Sequence, residues 1–424
     1  MNSKKQKKGL LIAPFWEKSD HVGVYRIDRF KRWLIAEGYM VIIIKGGIKN
    51  ETQMFDWGIE ISVRNSIDNI TTKLIKLSSR IHTKLFLYIW NTLFSILSIP
   101  DANRLWAREV LKQPLVKDNI EDINFVISSS PPHSSHIVAL NISKKLNIPL
   151  IVDLRDGWLD DPLHPSIKRW KIREKLEKKW EMRILKHASQ IFVTSEIWKE
   201  LLLNRLKLNQ SKTKVLTNAY PLYNFKSSHT SSSVENKHRP LRLLHTGKFV
   251  GSRHSNRVEL LLDPLFNSVK SYSKKIEIIL LGDFRRKDIN ALNQWENNFV
   301  GSNYKIVQKE RIPRSKMFEE ISLVDGLLLL AASEASIPSK TFEYIKSQKP
   351  ILAVTSKGSA IWEFAKDIPQ MFVYDYTSSD KDYDIIDKFL NACRSGKFKI
   401  NVPNQYSEEH LSKIFLRSIE GSLD

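Results

Sequence analysis

The chain has 424 residues, a formal net charge of +21 and one cysteine. The length exceeds what a single hydrophobic core usually serves, so two domains are expected. A hydrophobic content of 42% with 10% aromatic residues excludes a disordered or fibrous chain. The lone Cys393 excludes an intrachain disulfide and a CxxC metal site, which fits a reducing compartment. The positive balance favours polyanions, whether nucleic acid, anionic lipid or phosphorylated ligands, and does not choose among them.

The first residues, MNSKKQKKGLLIAPFWEKSD, begin like a secretory signal, but the apolar run is short, ends at Glu17 and lacks a small-residue cleavage site. A first strand over Gly9–Ala13 is expected instead. VYRIDRFKRWLIAEG predicts a helix closed by Gly38, followed by the strand YMVIIIK. KLFLYIWNTLFSILSIP, Lys84–Pro100, reads either as a buried core helix or as an interfacial membrane helix flanked by Lys73, Lys76 and Arg80. No stretch reaches the roughly 20 apolar residues of a membrane span. NFVISSS, PLIVDLRD and QIFVTS predict further strands, each followed by a helical pattern.

KRWKIREKLEKKWEMRILK, Lys168–Lys186, predicts an amphipathic helix that buries Trp170, Ile172, Leu176, Trp180 and Ile184 on one face. A membrane- or acceptor-facing role is the other reading. NFKSSHTSSSVENKHRP, residues 224–240, is polar and aperiodic and reads as a linker. Strand–helix alternation then resumes through LRLLHTGKF, KIEIILLGDF, YKIVQKERI, GLLLLAA, PILAVTS and MFVYDY. Continuous apolar strands alternating with helices predict parallel sheets covered on both faces. The expected organisation is two Rossmann-like doubly wound domains, 1–223 and 241–404, with a C-terminal segment 405–424 whose helix, about Glu408 to Ser418, packs back on the first.

Several chemistries are excluded. Gly23 stands alone after the first strand, without a G-x-G-x-x-G, and no G-x-x-x-x-G-K-[ST], zinc-ligand spacing or G-x-S-x-G elbow occurs. Ligands of doubly wound sheets bind beyond the carboxyl ends of strands. There this sequence places Thr246-Gly247-Lys248 with Arg253 beyond, Gly282-Asp283, SIPSKTFEYIKSQ, and Thr355-Ser356-Lys357-Gly358-Ser359. Glycine turns and cations in these loops suit a phosphorylated ligand. Ser336 is the expected N-cap of the helix carrying Lys340 and Glu343, with Pro338 in its first turn. The two charges form either a surface i,i+3 ion pair or a working set: Lys340 on a phosphate, Glu343 accepting from a sugar diol.

ASIPSKTFEYIKSQKPILAV resembles the nucleotide-sugar segment of family 4 glycosyltransferases of the GT-B fold, of the bacterial surface-polysaccharide type. FVISSSPPHSSHIVALNISKKLNIPLIVDLRDGWLDDP, HASQIFVTSE, KVLTNAY and LHTGKF resemble further family segments in the same order. The resemblance implies two domains facing each other across a cleft. It implies retaining, metal-independent transfer of a sugar, of hexosyl type, from a nucleotide diphosphate, UDP by default, to a glycan or lipid-linked acceptor, without a cofactor. It implies that Lys248, Arg253 and Lys340 stabilise the diphosphate, that Glu343 holds the ribose, and that Gly247, Gly282, Gly358 and Ser359 form the donor loops. On the first domain it puts Asp156 among the catalytic groups and Gly23, His136, Asp153 and Arg155 about the cleft. It further implies a cytoplasmic protein peripheral to the inner face of the membrane, and no nucleic acid partner. Two departures stand out: Ala335 lies where a donor-contacting glutamate is usual, with Glu334 beside it, and Ala219 replaces a glycine. A nucleotide-sugar 2-epimerase of the same fold and a basic nucleic-acid-binding protein are the alternative readings.

Overall fold

A computed structural model describes residues 6–16, 22–65, 98–160, 171–225, 239–247, 258–269, 275–284, 286–298, 303–331 and 333–423. The chain divides into two compact units, Met1–Thr217 with Leu411–Asp424, and Asn218–His410. Lys248, Arg253, residues 84–97 of the aromatic segment and residues 226–238 of the expected linker lie outside the described residues.

The first unit carries β1 (Lys8–Ala13), β2 (Met40–Gly47), β3 (Glu51–Phe55), β4 (Gly58–Arg64), β5 (Phe125–Ser130), β6 (Leu150–Leu154), β7 (Gln190–Val193) and β8 (Thr213–Val215). They form one sheet in the order β3-β4-β2-β1-β5-β6-β7-β8, parallel except for the β3–β4 pair. Its helices are α1 (Val22–Ala36), α2 (Arg104–Lys112), α3 (Pro114–Asn119), α4 (Ser134–Leu146), α5 (Lys171–His187) and α6 (Glu196–Leu206). The central strands are buried along their length, as continuous apolar runs require. The β3–β4 hairpin was not expected. Its first strand, ETQMF, is exposed almost throughout and offers no apolar alternation to read. Gly38 closes α1 as expected, at φ +84°, with Tyr39 N donating to Leu34 O at 2.9 Å.

The second unit carries β9 (Leu241–Thr246), β10 (Ile276–Leu281), β11 (Tyr304–Lys309), β12 (Gly326–Leu330), β13 (Ile351–Thr355) and β14 (Met371–Asp375). All pair in parallel in the order β11-β10-β9-β12-β13-β14. Its helices are α7 (Val258–Val269), α8 (Arg286–Asn298), α9 (Arg314–Leu323), α10 (Lys340–Lys346), α11 (Ala360–Ala365) and α12 (Asp384–Ser395). Leu243, Leu265, Ile278, Leu328, Leu352 and Phe389 join one core around the sheet.

The last helix, α13 (Glu408–Leu423), starts in the second unit and from Leu411 belongs to the first. Its Phe415 is fully buried there, stacked on Phe30 of α1 at 4.5 Å between ring centroids, with Trp33 at 5.4 Å and Phe192 at 5.9 Å. Lys214 donates to Ser418 Oγ at 3.0 Å.

Helix α5 corrects the expected orientation. Ile172 and Leu176 face solvent, whereas Arg173, Glu177 and Glu181 are buried beside Ile184 and Leu185. The reason is ion pairing. Glu177 accepts from Arg173 at 2.7 Å, and Arg173 also donates to Pro100 O at 2.9 Å. Glu181 accepts from Arg205 of α6 at 2.6 and 2.8 Å, and Arg205 also donates to Asp160. Buried charge is tolerated only when so paired, and this network turns the helix away from its apolar period.

Phe415→Ala removes three aromatic contacts from one buried site. The expected loss is about 3–5 kcal/mol of unfolding free energy, read from chemical denaturation followed by tryptophan fluorescence.

Candidate functional site

In the second unit the strand order reverses between the neighbours β9 and β12, the position where open α/β sheets hold ligands. The loops leaving these strands, with the loop after β10, converge there. Gly247 follows β9 at φ +93°, a conformation glycine adopts without steric cost. Gly282 follows β10 and packs so closely that a Cβ would lie 2.2 Å from Gly247 O. The two glycines therefore press one loop onto the other. A Cβ on Gly247 would lie 3.5 Å from Lys340 Nζ, so the lysine head sits over this glycine turn.

Lys340 opens α10. The N-cap is Ser339, not the expected Ser336, and its side chain makes no capping bond. Pro338 precedes the helix, and its carbonyl accepts from Thr341 N at 3.0 Å, so the helix starts three residues later than the sequence suggested. Lys340 Nζ donates to Thr246 O at 2.5 Å and lies 3.3 Å from His245 Nε2. His245 Nδ1 is 2.9 Å from Leu328 O, an acceptor, so Nδ1 carries the proton and Nε2 offers its lone pair to the lysine. Burial first, then Lys340, drives the His245 pKa well below its ordinary value and keeps the ring neutral. Burial likewise pushes Lys340 down to about 8. Tyr344 Oη, one turn further, accepts from Thr246 N at 2.9 Å and ties α10 to the end of β9.

Glu343 does not use Lys340 as its ion-pair partner. Arg314, the first residue of α9, donates to Glu343 Oε1 through Nη2 at 2.6 Å and Nε at 3.1 Å. Burial pushes the Glu343 carboxyl up, and Arg314 and then Lys340 oppose that shift. The guanidinium also lies 5.2 Å from the Phe318 ring centroid. His245, Arg314 and Tyr344 were not singled out from the sequence. Arg314 is 29 positions from Glu343, and no local spacing links them.

Beyond β13, Gly358 has φ +76° and Ser359 caps α11, its Oγ accepting from Trp362 N at 3.1 Å and 2.7 Å from Thr355 Oγ1. The backbone amides here are engaged: Ser359 N donates to Ser356 O and Ala360 N to Glu334 O at 2.7 Å. Glu334 is exposed and Ala335 buried.

In the first unit the order reverses at β1 and β5. A shallow open cleft lies there, with Ala13, Gly23, Ser129, Pro131 and Arg155 in its wall. Arg155 Nε donates to Ser130 O at 3.0 Å and Nη2 to Pro131 O. Its guanidinium fills the space a Cβ on Gly23 would need, at 2.4 Å. Asp153 is fully buried and bound by Arg26 of α1 at 2.6, 2.8 and 3.0 Å and by Ser129 Oγ at 2.7 Å. Asp156, two residues beyond β6, is half-buried. His136 is fully buried within α4, its Nδ1 2.7 Å from Ser128 Oγ, and burial lowers its pKa to about 3. It is a neutral ring at any ordinary pH.

No group of three or more His, Cys, Asp or Glu residues among the described residues is placed to hold a metal ion, and none of the described helices is long and apolar enough to cross a membrane.

No protein-family model matches the chain, and no curated protein sequence matches it. Solved structures do. A glycosyltransferase from Rickettsia africae superposes with a TM-score of 0.58 at 15% identity, over 99% of this chain and 99% of that one. Anabaena HepE in complex with UDP and glucose gives 0.56 at 12% identity, over 98% and 100%. A UDP-GlcNAc 2-epimerase from Methanocaldococcus jannaschii gives 0.52 at 13% identity, over 98% and 100%. These likenesses span both units, and the chain has the GT-B fold.

Proposed function

We propose that the chain is a glycosyltransferase that moves a sugar from a nucleotide diphosphate sugar to a glycan or lipid-linked acceptor. The observation that carries the reading is the grouping of Lys340, the Gly247–Gly282 turn pair and the Arg314-held Glu343 at the β9/β12 switch point. A cation over a glycine turn suits a diphosphate, and a fixed carboxylate nearby suits a ribose diol. The solved structure of the similarly folded Anabaena protein with UDP and glucose supports the same ligand class, with UDP the default carrier.

On this reading Lys340 opposes the negative charge that develops on the leaving diphosphate, and preorganisation makes such a charge effective. His245 Nε2 and Thr246 O hold the ammonium in place before the ligand arrives. Arg314 binds one oxygen of Glu343 and opposes the upward push of burial on its carboxyl, leaving the other oxygen to accept from the sugar. Lys248 and Arg253, which follow Gly247 in sequence, are assigned to the same diphosphate on the family resemblance alone, and Gly358 and Ser359 bound the donor from the β13 side. Asp156 serves the acceptor side with Gly23 and Arg155, and His136, fully buried against Ser128, supports the end of β5 from within. Asp153 serves it indirectly, through the shape that its pairing with Arg26 gives the end of β6. Retention, metal independence and a role in bacterial surface polysaccharide rest on the sequence resemblance. The epimerase reading shares the fold. It is separated by incubating a UDP-sugar without acceptor: an epimerised sugar nucleotide is the epimerase product.

Titration with UDP-, GDP- and ADP-sugars tests the reading. Ligand at a hundred times its dissociation constant stabilises the native state by about 2.7 kcal/mol, so the right donor raises the melting temperature. If none of them does, the proposal fails.

Lys340→Ala should lower kcat/KM by about a hundredfold to a thousandfold, the range for removing one charge-stabilising group. Glu343→Gln, of the same shape, should weaken donor binding by about tenfold to a hundredfold while leaving 2′,3′-dideoxyribose analogues unaffected, measured by calorimetry.

UDP affinity should also depend on pH. A lysine with its pKa lowered to about 8 is charged below that value and neutral above it. Binding should therefore weaken as pH rises through 8, and the dependence should vanish in Lys340→Met.

A further inference from the structure

The outer face of α5 has a composition that neither its packing nor the proposed reaction uses. Ile172, Lys175, Leu176, Lys179, Arg183 and Lys186 are all exposed, and at 100° per residue they fall on a single stripe. Ile172 is 75% and Leu176 43% exposed. Of the three carboxylates of α5, Glu177 and Glu181 are turned inward and neutralised by Arg173 and Arg205, and the exposed Glu174 lies outside the stripe, about 160° round the helix from Ile172. The stripe therefore carries two aliphatic side chains among four cations and no acid. Trp180, at its edge, lies half-buried between Arg104 at 5.0 Å and Arg183 at 5.6 Å. An indole flanked by cations suits the level of lipid headgroups.

We propose that this stripe docks the first unit on an anionic lipid bilayer, with Ile172 and Leu176 entering the headgroup region and the cations on lipid phosphates. The chemistry fits a bilayer better than a nucleic acid. Branched aliphatic side chains gain nothing from phosphates and bases in water but gain from burial at an acyl boundary. Cations beside them supply the attraction that brings the face to the surface. Had Glu177 and Glu181 faced outward unpaired, they would have weakened that attraction.

The test is co-sedimentation of the full chain with phosphatidylcholine vesicles, with and without phosphatidylglycerol. The wild type should sediment with the anionic vesicles and far less with the neutral ones. Lys175→Gln with Lys179→Gln should lower the partition coefficient about thirtyfold, from the usual contribution of a cation near such a surface. Ile172→Ser with Leu176→Ser should lower it as well and should make the remaining binding disappear in high salt. These side chains are exposed, so both variants should keep the wild-type melting temperature and the UDP-induced shift. That shift reports on the nucleotide site separately, so failure of either proposal is visible without the other. Three results would overturn the docking: equal binding to both vesicle types, unchanged binding in both variants, or loss only in the lysine variant. The last would mark a general polyanion contact, to be checked against duplex DNA.

Discussion

The pairing of Arg26 with Asp153 is the interaction on which the first unit depends. Both side chains are out of water, at 2% and 0% exposure. Two charges placed there are costly unless every donor and acceptor is used. The guanidinium binds the carboxylate through Nε and Nη2, and its remaining donors reach Thr217 O at 3.0 Å and Leu216 O at 2.8 Å. Ser129 supplies the further bond to Asp153. One side chain thus ties α1, the end of β5, the end of β6 and the last residues of the unit before the chain leaves it. The cleft at β1 and β5 takes its shape from this knot, because Arg155, two residues after Asp153, is the group that meets Gly23. Removal of either charge would leave the other buried without a partner, at a cost of about 3–5 kcal/mol.

The second unit solves a related problem differently. There the charged groups at the switch point are only partly satisfied. Lys340 rests on a main-chain carbonyl and a neutral imidazole, neither of which removes its charge. Glu343 has one oxygen engaged by Arg314. The framework beneath them is uncharged: two glycines in contact, and a tyrosine hydroxyl bound to the end of β9. The docking face of α5 follows from the same economy in the first unit, since drawing Glu177 and Glu181 inward leaves the stripe through Ile172 and Leu176 with cations and no acid.

Much of the fold was legible because buried parallel strands write themselves as uninterrupted apolar runs. GLLIA, YMVIIIK, KIEIILL and GLLLLAA carried that signal, and the strand order then fixed where loops would meet. ETQMF carried no such signal, being an exposed edge strand. Helix α5 was misread because periodicity counts apolar side chains and cannot see that Glu177 and Glu181 have arginine partners waiting, one of them on another helix. The candidate site divides in the same way. Gly247, Gly282 and Lys340 were found because loop position and residue type suffice. His245 was hidden inside an apolar strand, LRLLHT. Arg314 and Glu343 meet only through the packing of α9 against α10. Asp153 and Asp156 stand three residues apart in one motif, yet burial separates them, one locked to Arg26 and the other half-exposed.

The placement of α13 bears on the order of folding. Phe30, Trp33 and Phe192 complete their cluster only with Phe415, and contacts between distant parts of a chain form late and slowly. On a ribosome, the whole second unit must be synthesised before Phe415 exists. Until then the first unit presents an aromatic groove, open to whatever apolar surface is near. The nascent chain is therefore most exposed to aggregation, and most in need of a chaperone, in its earlier half rather than in the part still emerging.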